Sequence, residues 1–152
     1  MRISRESPVS SDLQHLMQRH WQAMHADTPP GSIHMMDAGQ LDHPDIYFYV
    51  MRENSVPIGM GAIKRIDAAH AEIKSMHVLT EERGRGLARQ MVAHLIAQAR
   101  AGNFTRLSLE TGAQASFGPA RSLYHSVGFQ RCGAFEGYQD DPHSVFMTRA
   151  LA

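Results

Sequence analysis

Residues 78–89, Val-Leu-Thr-Glu-Glu-Arg-Gly-Arg-Gly-Leu-Ala-Arg, join two strongly patterned segments, and that junction restricts the fold more than anything else in the chain. Upstream, residues 71–78 pattern as a strand. Downstream, Leu87, Met91, Val92, Leu95, Ile96 and Ala99 recur at helical spacing, with Gly102 placed just past the end. Glycine at 84 and 86 and alanine at 88 let a ligand approach the main chain closely. The first turn of such a helix offers unbonded N–H groups and the positive end of the helix dipole, so a phosphate is the natural occupant. Arg83, Arg85 and Arg89 can supply the positive charge. No Gly-Lys-Ser/Thr follows, which excludes an ATP-type P-loop, and the preceding strands pattern as antiparallel, which excludes a dinucleotide-binding unit. The bland alternative is a glycine-softened turn before a core helix.

The rest of the chain patterns around this junction as one domain over residues 1–152. Residues 2–6 suit a short edge strand. Ser10 or Ser11 can cap a helix to about Ala26 whose apolar face holds Leu13, Leu16, Met17, Trp21 and Met24. Residues 31–44 are irregular, either a short helix or a loop over a site. Residues 46–52, 56–66 and 71–78 read as a three-stranded antiparallel meander. A strand at 107–110, a helix at 120–127 and strands at about 130–134 and 144–149 complete a mixed α/β sheet. The sequence is 43% hydrophobic with 15 basic and 15 acidic residues, so any anionic ligand must be held by a local cluster and a broad nucleic-acid footprint is not expected. The apolar run at 46–51 is too short to span a bilayer, and a single cysteine, Cys132, suits a reducing compartment, so a cytoplasmic protein without membrane contact is expected.

Arg83-Gly-Arg-Gly86-Leu-Ala88 resembles the pyrophosphate loop Arg/Gln-x-x-Gly-x-Gly/Ala of the GNAT superfamily of acetyl-CoA-dependent N-acetyltransferases. A second segment, Ala120-Arg-Ser-Leu-Tyr124-His-Ser-Val-Gly128-Phe129, is similar to the stretch that follows the family's fifth strand and carries a tyrosine near the thioester sulfur. Residues 109–112 and 135–145 look like a bacterial small-molecule branch. The resemblance implies a central mixed, largely antiparallel twisted sheet of about six or seven strands flanked by about four helices. It also implies acetyl-CoA as cosubstrate, a primary amine of a small molecule or peptide as acceptor, direct attack in a ternary complex, and a homodimer.

The reaction needs a proton acceptor for the amine, a polarised thioester carbonyl and a proton for the leaving thiolate. Glu72, eleven residues before Arg83, stands where some family members carry a general-base glutamate; the alternative is a strand glutamate paired with Lys74 or an arginine. Tyr124 is the candidate general acid, its alternative being core packing on the helix's apolar face. Met76, His77 and Val78 would offer main-chain groups to the pantetheine arm and an N–H to the oxyanion, while the loop from Arg83 through Gly84, Arg85, Gly86, Leu87 and Ala88 to Arg89 would hold the pyrophosphate. His77 is a second base candidate, but strand alternation puts it opposite Glu72 unless a bulge intervenes. Many family members have asparagine where this chain has Phe117, leaving Ser116 and Thr111 as polar substitutes.

An acceptor site would draw on the first helix, residues 31–44, Glu110 and residues 135–143, where Glu136, Asp140 and Asp141 could hold a cationic amine or simply form a solvated turn. His15, His20 and His25 advance about 140° per step and cannot share one helix face, so no metal is expected. Cys132, without a His/Asp setting, reads as a structural thiol. The competing functional reading is a non-catalytic acyl-CoA-binding or regulatory protein with the same fold; a third is an interaction module with a fortuitous glycine loop.

Overall fold

The computed structural model describes residues 1–151. In chain order the elements are β1 (Arg2–Arg5), α1 (Gln14–Asp27), α2 (Ala38–Leu41), β2 (Ile46–Glu53), β3 (Val56–Arg65), β4 (His70–Val78), α3 (Leu87–Ala101), β5 (Arg106–Gly112), α4 (Gly118–Ser126), β6 (Gln130–Cys132) and β7 (Ser144–Ala150), with short 3-10 turns between them. The seven strands form one sheet in the order β1-β2-β3-β4-β5-β7-β6. Every pairing is antiparallel except β4 with β5. The expected mixed, largely antiparallel sheet with four helices is the architecture found. The irregular 31–44 stretch contains α2, closed by an Asp37 capping box.

Strand alternation sends two sets of apolar side chains to opposite faces. One face carries Met51, Ile63, Ile73, Leu107 and Leu109, covered by Leu87, Met91, Val92, Leu95, Ile96 and Ala99 of α3 and by Tyr124 of α4. The other carries Phe48, Val50, Met60 and Ala62, covered by Leu13, Leu16 and Leu41. Each fully buried large side chain contributes about 1.5–3 kcal/mol relative to exposure, so α3 is held by its periodic face.

The first helix departs from its expected face. Trp21 is 53% exposed and stacks on His25 at 3.9 Å, while His20 is buried. At 100° per residue His20 falls about 20° from Leu13 around the axis and Trp21 about 80°, so the histidine takes the centre of the inward stripe and the indole its solvent edge. The sixth strand ends at Cys132, short of the expected 134.

Candidate active site

The parallel pairing of β4 and β5 ends at Ile73 opposite Leu109, and beyond it the two strands run on without pairing to each other. On its other side β4 pairs with β3, where Ala62 opposes Lys74 and Met60 opposes His77. Two β4 residues, Ser75 and Met76, therefore face the single Gly61, and Ser75 takes φ +55°. This bulge reverses the alternation. Glu72, Lys74 and His77 consequently share one face, the condition under which His77 joins Glu72's side.

The divergence opens a cleft of about 110 Å³ whose wall includes His20, Glu72, Lys74, Met76, Glu110 and Tyr124. Glu72, 4% exposed, accepts a hydrogen bond from the Tyr138 hydroxyl at 2.5 Å, and its Oε2 lies 3.5 Å from Lys74 Nζ. The Lys74 ammonium in turn donates to the Tyr138 oxygen and to the His34 carbonyl, each at 2.9 Å. Burial and the Glu72 charge push the Tyr138 phenol up. Nothing in the hydrophobic pattern marked Tyr138; it follows Gly137, whose φ of +79° turns the β6–β7 connection back over the sheet. Glu110 is the first β5 residue past the paired segment, and burial raises its carboxyl, with the Ser144 hydroxyl beside it acting in the opposite sense.

Tyr124 is buried and packs edge-on against Phe129, with ring centroids 5.8 Å apart. Burial pushes its phenol up, so it stays protonated. It is thus packed in the core and lines the cleft at once.

His77 Nδ1 lies 3.3 Å from His20 Nδ1, tying α1 to β4. Burial drives His20 down to about 4 and His77 to about 3, His77 being lowered further by His20, Arg83 and Arg19 and raised by Glu81. Both rings are neutral near pH 7, one donating and one accepting. His77 Nε2 is buried without a partner among the described residues.

At the helix end of the junction, Gly84 and Gly86 take φ +84° and +74°, and a Cβ at either would meet nothing within 4 Å. Glycine is needed there for main-chain conformation, and the space above the loop is open. Gly86 caps α3 without a side-chain hydrogen bond, so no cap side chain occupies the first-turn N–H groups. The arginines are less free than the sequence suggested. Arg85 bridges Glu53 and Glu82, each at 2.5 Å, Arg89 donates to Ser126 and Arg83 to the Val78 carbonyl.

Phe117, the departure from the family pattern, lies over Gly112. A side chain at 112 would collide with the Phe117 ring and the Gln114 amide oxygen. Both polar atoms of the Gln114 amide are buried without a partner among the described residues, which adds it to Ser116 and Thr111 as a polar group near this ring.

Asp141 sits under Ser32, which donates to it, and has no place on the cleft wall; Asp140 and Glu136 are exposed. Among the described residues no three His, Cys, Asp or Glu side chains are grouped to hold a metal, and no helix is long and apolar enough to cross a membrane.

Comparison with known proteins identifies the family and the fold. The model of the acetyltransferase (GNAT) family matches residues 11–129. The chain is 44% identical over 136 residues to the uncharacterized N-acetyltransferase YsnE of Bacillus subtilis (strain 168), covering 90% of each. An acetyltransferase structure from Streptococcus agalactiae superposes with a TM-score of 0.79 at 20% identity, covering 98% of this chain and 97% of that one. An aminoglycoside 6'-N-acetyltransferase complexed with coenzyme A superposes with a TM-score of 0.76 at 11% identity, covering 100% and 98%.

Proposed function

Since the chain belongs to the acetyltransferase (GNAT) family, we propose that it transfers the acetyl group of acetyl-CoA to a primary amine by direct attack in a ternary complex. The observation that carries this reading is the divergence of β4 from β5 after Ile73 and Leu109, which leaves one cleft with carboxylates and a protonated phenol on its wall and the open glycine loop on the same strand-to-helix connection. The coenzyme A complex among the structural neighbours supports acetyl-CoA as cosubstrate.

In this proposal the N–H groups of Gly84 to Ala88 and the start of α3 take the pyrophosphate, with Arg83, Arg85 and Arg89 around it. Leu87 is buried and fixes the helix start. Past the bulge, Met76, His77 and Val78 offer main-chain groups to the pantetheine arm and an N–H to the oxyanion. The amine gives up its proton at the Glu72 and Glu110 end of the cleft, its nitrogen bonds to the acetyl carbon, and the C–S bond breaks. Tyr124 then protonates the departing thiolate. No acetyl-enzyme is required. The unit is one N-acetyltransferase domain; its cytoplasmic placement rests on its single free thiol and its homodimeric state on family resemblance.

Calorimetric titration of acetyl-CoA tests the reading. One saturable site is expected, weakened in Arg85→Glu by like charge beside the phosphates, and thiol release should fall in Tyr124→Phe with cofactor affinity little changed. Equal effects on both quantities contradict the division of roles. Saturable binding with no thiol release for any amine favours the non-catalytic binder, and no binding at all removes the proposal.

A further inference from the structure

We propose that the acceptor is a small monoamine carrying one ammonium on an apolar body, and that Glu110, in preference to Glu72, receives that ammonium and then its proton. This deepens the acetyltransferase reading above and rests on it.

Charge bookkeeping in the cleft carries the argument. Among the described residues on its wall, Glu72 and Glu110 are the carboxylates and Lys74 is the one Lys or Arg. Glu72 is already matched, bonded by Tyr138 and neighboured by the Lys74 ammonium. Lys74 is likewise committed, to Tyr138, to the His34 carbonyl and to Glu72. The two form a closed network whose members bind each other, and a substrate group that engaged either would have to break it. Glu110, at the point where β4 and β5 part, has no opposite charge in hydrogen-bond contact: burial and Glu72 disfavour its charged form, while the Ser144 hydroxyl and, without direct contact, His34 and Lys74 favour it. It is therefore the place for one cation and one only.

A polyamine or aminoglycoside would bring further ammonium groups with no free carboxylate to meet them. An amino acid would bring a carboxylate with no free cation. Each mismatch leaves a charge desolvated and unpaired. Beside the polar His20, His34, Ser75, Thr111 and Tyr124, the rest of the wall is apolar, with three methionines, Met24, Met35 and Met76, next to Phe117, which suits an apolar body; thioether side chains repack around irregular shapes. The cleft, at about 110 Å³, must also admit the thioester end, so the acceptor is small.

The test uses the whole protein, acetyl-CoA and three probes: 2-phenylethylamine, phenylalanine, which adds a carboxylate to the same skeleton, and spermidine, which adds cations. Thiol release should give kcat/KM for 2-phenylethylamine at least about tenfold above the other two, an unmatched charge being worth that much or more. Glu110→Gln should abolish that preference and flatten the acid limb of the pH profile, and Glu72→Gln should leave the preference in place while lowering thermal stability. Comparable or faster turnover of phenylalanine or spermidine overturns the proposal and leaves acetyl transfer standing. So does a Glu110→Gln enzyme with wild-type preference and pH profile. Failure of all three probes in a protein that binds acetyl-CoA saturably also overturns the substrate class. Only loss of acetyl-CoA binding itself counts against the underlying reading.

Discussion

Replacing Tyr138 by phenylalanine removes one oxygen atom and little else, because the ring keeps its edge contacts with Phe135 at 5.2 Å, His34 at 5.1 Å and Phe146 at 5.4 Å. That oxygen donates to Glu72 at 2.5 Å and accepts from Lys74 at 2.9 Å. Glu72 is 4% exposed, so water does not readily replace the lost donor. A hydrogen bond to a buried charge contributes about 1.5–3 kcal/mol, and the variant should lose that much unfolding free energy. For a chain of 152 residues this lowers Tm by about 3–12 °C, at about 2–4 °C per kcal/mol. Urea unfolding followed by circular dichroism measures the loss directly. A Glu72→Gln partner variant completes a double-mutant cycle, in which the coupling should be a large fraction of the single effect. A loss below about 0.5 kcal/mol, or no coupling, would mean that Lys74 alone satisfies the carboxylate, and the closed network argued above would not exist.

The His20–His77 pair predicts a pH dependence of stability. Both pKa values lie below the ordinary 6.5, at about 4 and about 3, so between about pH 6.5 and pH 4 the unfolded chain binds more protons and stability falls as pH is lowered. Each proton contributes at most about 1.4 kcal/mol per pH unit; a Tm that does not change between about pH 7 and pH 5, or a slope undiminished in His20→Leu, contradicts the assignment. Gly112→Ala should destabilise by about 1–3 kcal/mol through collision with Phe117 and Gln114, read as a shifted urea midpoint, and an unchanged midpoint would mean that the ring is loosely seated. Burial raises the Cys132 thiol and keeps it protonated, so Cys132→Ala should retain full turnover; acetyl-labelled Cys132 in trapped wild-type enzyme would replace the ternary mechanism with a covalent one.

Much of this protein is local in origin and legible from the sequence. The α3 repeat of Leu87, Met91, Val92, Leu95, Ile96 and Ala99 is a one-dimensional pattern, and all six side chains are buried. The loop glycines are equally local, since their need for positive φ is a property of two residues and their neighbours. The order of motifs at 83–88 and 120–129 then sufficed for the family. Trp21 marks the limit of such patterns, because one hydrophobic residue at the edge of a stripe reads the same whether it turns in or out.

What the sequence by itself determined is therefore the sheet, its helices, the glycine loop before α3 and the placing of Glu72 and Tyr124 on the strand before it and the helix after β5. Tertiary structure alone decided what those groups are bonded to. The single bulge at Ser75 moved His77 to the face of Glu72, and the β6–β7 connection brought Tyr138 across 66 residues of chain onto that carboxylate. Glu53, remote from the loop in sequence, took up Arg85. Hydrophobic periodicity records which side of an element is buried, but partner choice among polar groups is set by distances between elements far apart in the chain. That choice bonded Glu72 to Tyr138 beside Lys74 and left Glu110 without an ion-pair partner among the described residues.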